Sequence, residues 1–221
     1  MSDTLTLVIC NKNYSSWSFR PWLLLRHHGI AFDEVRLPLE TPEWNGSIGR
    51  WSPSGRLPVL HRGSLVVWDS LAIAEYVNEN CLDGRGWPRD ATTRAIARSI
   101  SAEMHSGFQA LRDSMPFNCR LRAKNFVVPP DARRDIDRIT HIWRECRARA
   151  AGEGPFLFGG FTIADAMYAP VVMRFRTYGV ATADVERRYV AAVLDLPAAC
   201  EWTAAAEAEG LALPKYDAVA G

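Results

Sequence analysis

The sequence predicts an α/β unit over residues 1–81 followed by an all-helical unit over residues 90–221. Three observations predict it. The first third alternates short apolar runs with helical stretches, each bounded by turn-forming residues. Leu82 to Arg89 then carries Asp83, Gly84, Gly86 and Pro88 between apolar periodic stretches, the composition of an interdomain linker. Nearly everything beyond it has apolar residues at three- to four-residue steps, the period of amphipathic helices.

Leu5 to Cys10 is apolar and rich in β-branched residues, and it ends at the turn-prone Asn11-Lys12-Asn13, as a buried strand does. Trp22 to Arg26 reads as helix, with Gly29 as its C′ residue. With Ser18 as N-cap, Pro21 falls at the third helical position, where its missing N–H costs nothing, and Ser15 and Ser16 lie in the preceding loop. Phe32 to Leu37 is a second strand. Thr41 to Trp51 is irregular or a short helix. Leu57 to His61 and Leu65 to Trp68 are strands joined by the hairpin turn Arg62-Gly63-Ser64. Ser70 to Asn80 is helical, so the order is β-α-β-(α)-β-β-α.

Ala91 to about Arg122 is one long helix or a pair kinked near Met115-Pro116. From Asp131 to Ala151, an apolar stripe of Ala132, Ile136, Ile139, Trp143, Cys146 and Ala150 backs a solvated face. That face carries Arg133, Arg134, Arg138, Arg144 and Arg147 interleaved with Asp135 and Asp137. Thr162 and Asp165 have capping-box spacing at the head of a helix running to about Arg176. Residues 185–207 hold one or two more helices.

Composition narrows the function. Lys+Arg and Asp+Glu nearly cancel, leaving a formal charge of +1, so no bulk electrostatic attraction to nucleic acid or an anionic membrane is expected. Cys10, Cys81, Cys119, Cys146 and Cys200 are scattered, without a C-x-x-C, and read as reduced, mostly buried thiols. The start Met1-Ser2-Asp3-Thr4 lacks a secretory pattern, and the apolar runs fall far short of the roughly 20 residues of a membrane helix. A cytoplasmic location is expected. There is neither a Cys/His metal spacing nor a Walker-type glycine loop, so no metal is expected.

Three segments of the first third stand out: Tyr14-Ser15-Ser16-Trp17-Ser18-Phe19-Arg20, Gly55-Arg56-Leu57-Pro58-Val59-Leu60 and Trp68-Asp69-Ser70-Leu71-Ala72-Ile73-Ala74-Glu75-Tyr76. In this order, with the Thr162-Ile163-Ala164-Asp165 box, the chain resembles the cytosolic glutathione S-transferase superfamily over nearly its whole length. The first segment is similar to the zeta-class signature S-S-C-x-W-R, with Trp17 where that class has cysteine. The resemblance implies a thioredoxin-like N-terminal domain with a mixed four-stranded sheet, then the all-helical domain of that superfamily.

It also implies a site for glutathione as co-substrate. A serine at the mouth of the first helix would donate to the glutathione sulfur. A free thiol has a pKa of about 8.5, and each unit of lowering needs about 1.4 kcal/mol. Ser15 matches the zeta-like alignment, and Ser16 is its rival through its distance to Arg20. The bond before Pro58 would be cis, presenting the Leu57 backbone to the cysteinyl part of glutathione. Asp69 and Ser70 would hold the γ-glutamyl end at a helix N-terminus. Met104, His105, Phe108 and Arg112 recur at helical spacing and would border the electrophile pocket, where Arg112 and Arg120 are candidates for holding a carboxylate.

The reading is then a glutathione transferase that conjugates the thiolate to a small electrophile. Two alternatives stand beside it: a zeta-like, glutathione-dependent cis–trans isomerase of maleylacetoacetate type, and a non-catalytic binding module of the same fold. A homodimer is expected by resemblance, with no nucleic-acid or membrane partner.

Overall fold

The computed structural model describes residues 4–123, 125–150 and 153–218. The ends of the expected domain ranges, 1 and 221, and the expected helix end at Ala151 lie outside those residues. The first part contains β1 (Leu5–Ile9), α1 (Ser16–His27), β2 (Phe32–Arg36), α2 (Pro42–Trp51), β3 (Val59–Arg62), β4 (Leu65–Trp68) and α3 (Ser70–Cys81). The strands form one mixed sheet in the order β2-β1-β3-β4. β1 pairs parallel with β2 and antiparallel with β3, and β3 pairs antiparallel with β4.

The two-residue alternation of β1 explains its central place. Leu5, Leu7 and Ile9 enter the main core with Phe19, Leu23, Ile73 and Val77 of α1 and α3. Val8 and the following Cys10 face the other way, into a smaller cluster with Leu37, Leu57, Val59 and the α2 residues Trp44, Ile48 and Trp51. β3 begins at Val59, two residues later than the sequence suggested, since Pro58 has no N–H for the ladder. α2 takes the helical alternative, capped by the Thr41 hydroxyl accepting from Trp44 N.

The second part contains α4 (Ala91–Ser106), α5 (Gln109–Ser114), α6 (Pro130–Arg149), α7 (Ile163–Tyr178), α8 (Asp184–Leu194), α9 (Pro197–Glu207) and α10 (Pro214–Asp217). α7 is buried nearly all round and packs against α1, α4 and α8. Its start is fixed as expected. The Asp165 carboxylate accepts from Thr162 N, Thr162 Oγ1 and Leu157 N. Trp143 of α6 is fully buried between Tyr168, Phe175 and Tyr189, joining α6, α7 and α8.

Three expectations are corrected. α1 begins at Ser16 with Ser15 as its N-cap, so Pro21 lies inside the helix. The buried run Phe19 to Leu25 outweighs the carbonyl of Trp17 that Pro21 leaves without its helical donor. The stretch from Ala91 breaks at Gly107-Phe108, not at Met115-Pro116. A Cβ at Gly107 would sit 2.8 Å from the Glu103 carbonyl oxygen, and Phe108 is left-handed at φ 60°. Pro116 instead follows the end of α5. The arginine face of α6 stays largely exposed, as expected, and also makes pairs: Arg138 makes a bidentate pair with Glu103, Arg144 reaches the buried Glu186, and Arg147 donates to the Phe156 carbonyl. Finally, α10 had no sequence counterpart, and long-range bonds hold it: the Asp217 carboxylate accepts from Tyr14 Oη and Asn118 Nδ2.

Candidate active site

Two adjoining cavities open where the α1 and α3 N-termini meet the helical part. The first, of about 530 Å³, is lined by Trp17, Ser54, Arg56, Leu57, Pro58, Trp68, Asp69, Ser70 and His105. The second, of about 370 Å³, is lined by Tyr14, Ser16, Trp17, Arg112, Asp113, Pro116, Phe117, Arg174, Lys215 and Tyr216. Trp17 belongs to both, so the first turn of α1 is their common wall.

The two serines at that turn differ in their bonding. Ser15 Oγ accepts from Ser18 N at 3.2 Å and donates to Ser18 Oγ at 2.8 Å. Ser18 Oγ in turn accepts from Cys10 N. Burial pushes the Cys10 thiol up to about 12, against the opposing hydrogen bonds of Ser15 and Ser18. Ser15 is thus engaged as a helix cap over a buried thiol. Ser16 Oγ lines the second cavity and has no hydrogen-bond partner among the described residues.

Leu57-Pro58 is cis. The Leu57 side chain is buried in the smaller core cluster, while the residue also borders the first cavity. Asp69 adopts φ 77°, in the left-handed region, and caps α3. Its Oδ1 accepts from Leu71 N and Ala72 N, and its Oδ2 lies 3.0 Å from His105 Nε2. Ser70 is the first residue of α3, and its buried Oγ has no partner, although the residue lines the first cavity. An unpartnered hydroxyl at a helix N-terminus is a ready anion site.

The four residues expected around an electrophile separate. Met104 and Phe108 are buried in the main core and line neither cavity. His105 borders the first cavity and Arg112 the second. Arg120 is engaged elsewhere, donating to Tyr14 Oη and to the carbonyls of Glu209 and Leu211, so it braces the C-terminal segment.

A cationic group gathers behind Trp17, and two of its members, Arg20 and Arg174, have no role assigned from the sequence. Arg20 is 1% exposed, and none of its guanidinium nitrogens has a partner among the described residues. Its Cζ lies 4.3 Å from the Trp17 ring centre, and that of Arg112 lies 4.7 Å from it. Arg174 of α7 is also buried, donating to the carbonyls of Met115 and Pro170. Burial first, then the charges of Arg112 and Arg174, pulls the Arg20 pKa well down; burial with Arg112 lowers that of Arg174 to about 9. The one legible signal for Arg174 is its position in the apolar run Ala166 to Phe175, since arginine is rarely buried unless paired. Among the described residues, no group of His, Cys, Asp and Glu is placed to hold a metal ion, and no helix is long and apolar enough to cross a membrane.

Comparison with known proteins agrees with the fold. Residues 14–80 match the family described as Glutathione S-transferase, N-terminal domain, and residues 129–207 match Glutathione S-transferase, C-terminal domain. A probable maleylacetoacetate isomerase of Caenorhabditis elegans is 30% identical over 99 residues, which are 45% of this chain and 46% of that protein. The aligned stretch is therefore about half of that relative's length. A glutathione transferase homologue from Burkholderia, solved with bound glutathione, superposes with a TM-score of 0.70 at 21% identity, covering 93% of this chain and 100% of that one. Ure2p in complex with glutathione superposes with a TM-score of 0.70 at 16% identity, covering 91% and 99%. With a thioredoxin-like sheet domain, a following helical domain and both family patterns in place, the chain belongs to the cytosolic glutathione S-transferase superfamily.

Proposed function

We propose that this chain binds glutathione in the first cavity and turns its thiol, through Ser16, toward an electrophile in the second. The carrying observation is the arrangement at the first turn of α1. Ser16 has a hydroxyl without a partner, and it stands beside Trp17, the wall common to both cavities. A hydroxyl donor together with a helix N-terminus favours thiolate over thiol. Ser15 is the less suitable donor, because its hydrogen is engaged by Ser18 Oγ. The cysteinyl backbone of glutathione lies along Leu57, and its γ-glutamyl carboxylate meets Ser70 Oγ and the start of α3. Asp69 receives the α-ammonium group.

The second cavity supports an acceptor bearing a carboxylate. Arg112, Arg174 and Lys215 line it against the single carboxylate of Asp113, with Arg20 unpaired behind Trp17. That charge balance suits nucleophilic addition to, or substitution on, a small anionic electrophile. It suits equally a second reading, glutathione-dependent isomerisation of a small dicarboxylate, which the name of the Caenorhabditis elegans relative favours. A homodimer, a cytoplasmic location and a division into domains at 1–81 and 90–221 belong to the same proposal.

Calorimetric titration with glutathione, paired with ultraviolet detection of the bound thiolate, tests it. Binding with a depressed thiol pKa supports a transferase. Binding with an ordinary thiol pKa reduces the chain to a binding module, and no binding at millimolar glutathione removes the reading altogether.

A further inference from the structure

The sequence sets His105 among residues of an electrophile pocket, but its side chain turns to the other cavity. Its Nε2 meets Asp69 Oδ2 at 3.0 Å, and its ring stands edge-on to Trp17 with centres 5.3 Å apart. A hydrogen on Nε2 is the tautomer that suits this contact, since a carboxylate only accepts. Nδ1 is buried without a partner. In the neutral ring Nδ1 is a bare acceptor. In the protonated ring it would be a buried N–H with nothing to donate to, which is the costlier orphan. The charged groups acting on this ring are Asp69 at the head of α3, Arg20 of α1 and Arg112 of α5. Burial first, with the two arginines beside it, opposes a second proton on the ring, and Asp69 alone favours one. The ring is therefore held toward its neutral form beside Asp69 Oδ2.

Asp69 needs such a partner. Its Oδ1 is fixed by the N–H groups of Leu71 and Ala72, but its side chain is 42% exposed and its backbone is left-handed. The imidazole fixes where Oδ2 sits and leaves that oxygen a free lone pair toward the cavity. Ser70 Oγ, the unpartnered hydroxyl beside it, lines the same cavity. One end of the first cavity thus offers a negative acceptor next to an anion-binding helix start, a complement to a carbon bearing both ammonium and carboxylate.

We propose that His105 is a positioning residue that makes this end selective for the α-ammonium group of the γ-glutamyl moiety, by holding the Asp69 carboxylate in place. The inference rests on the glutathione reading above and deepens it. It assigns a residue of the helical part to recognition of the peptide's amino end rather than to chemistry on the electrophile.

Calorimetry with two probes tests it: glutathione, and its desamino analogue glutaryl-cysteinyl-glycine, which keeps every group but the ammonium. The unaltered chain should bind glutathione about tenfold more tightly than the analogue, a difference of about 1.4 kcal/mol. In His105→Leu the dissociation constant for glutathione should rise about tenfold, to that of the analogue, whose own constant stays within about twofold. His105→Gln, whose amide can still donate to Asp69, should restore most of the discrimination. Equal weakening of both probes in His105→Leu would make the residue a structural support and overturn the inference, as would unchanged discrimination. Failure of the unaltered chain to bind either probe would instead overturn the glutathione reading and this inference with it.

Discussion

Replacing Arg20 with methionine should stabilise the protein while weakening its hold on an anionic substrate. The guanidinium is 1% exposed and makes no hydrogen bond among the described residues. Burying an unpaired cation costs several kcal/mol even after relaxation. Stacking on Trp17 at 4.3 Å returns about 2 kcal/mol at most. A methionine keeps much of the apolar stem and removes the charge, and such exchanges at buried ionic sites gain about 1–4 kcal/mol. A net gain near 2 kcal/mol raises the melting temperature of a chain this size by about 4–8 °C. Differential scanning calorimetry of the two proteins measures it. Repeating the scan with millimolar succinate adds the functional half. The anion should raise the melting temperature of the unaltered protein and leave Arg20→Met nearly unchanged. A variant that melts lower than the parent, or that gains as much from succinate, would refute the account of Arg20 as a cation awaiting a partner.

Two further outcomes are expected. Burial pushes the Asp165 carboxyl up to about 6 from an ordinary 3.8, against the hydrogen bonds of Leu157 and Thr162. A raised folded pKa gives stability that is present below the unfolded value and lost as pH rises through the folded one. Asp165 should therefore contribute a fall of about 3 kcal/mol between roughly pH 4 and 6. Urea titrations across that window should show the slope shrink in Asp165→Asn, and an unchanged slope would place the titration elsewhere. Asp217→Ala removes the acceptor of Tyr14 Oη, Asn118 Nδ2 and Leu213 N. Opening of the 213–218 segment should become easier by about 1–3 kcal/mol, so tryptic cleavage after Lys215 should accelerate by about fivefold or more. An unchanged cleavage rate would contradict this.

What the sequence made legible follows from where the information resides. The four strands and α3 came from short apolar runs with turn residues between them, a local pattern that the sheet then buried on both faces of β1. The start of α1 is not legible locally, because Pro21 is a local signal for a later start whereas burial of Phe19 to Leu25 decides it. The break at Gly107 is hidden in the sequence because Pro116 is the louder punctuation. The close approach of Glu103 that requires a glycine there is visible only in three dimensions. The site was legible as segments but not as roles. Ser15 and Ser16 are adjacent and alike, and only the bond from Ser15 to Ser18 separates them. The sequence likewise cannot say that Arg120 is engaged by the C-terminal segment while the Arg20 guanidinium has no hydrogen-bond partner among the described residues, because pairing is a tertiary property.

The most direct test of the central claim is the ultraviolet thiolate signal of bound glutathione, titrated against pH in the unaltered chain, Ser16→Ala and Ser15→Ala. Loss of the signal in Ser16→Ala, with glutathione affinity kept within about threefold and the signal retained in Ser15→Ala, is the predicted result. A full signal in Ser16→Ala would contradict the assignment of its free hydroxyl as the donor that holds the thiolate.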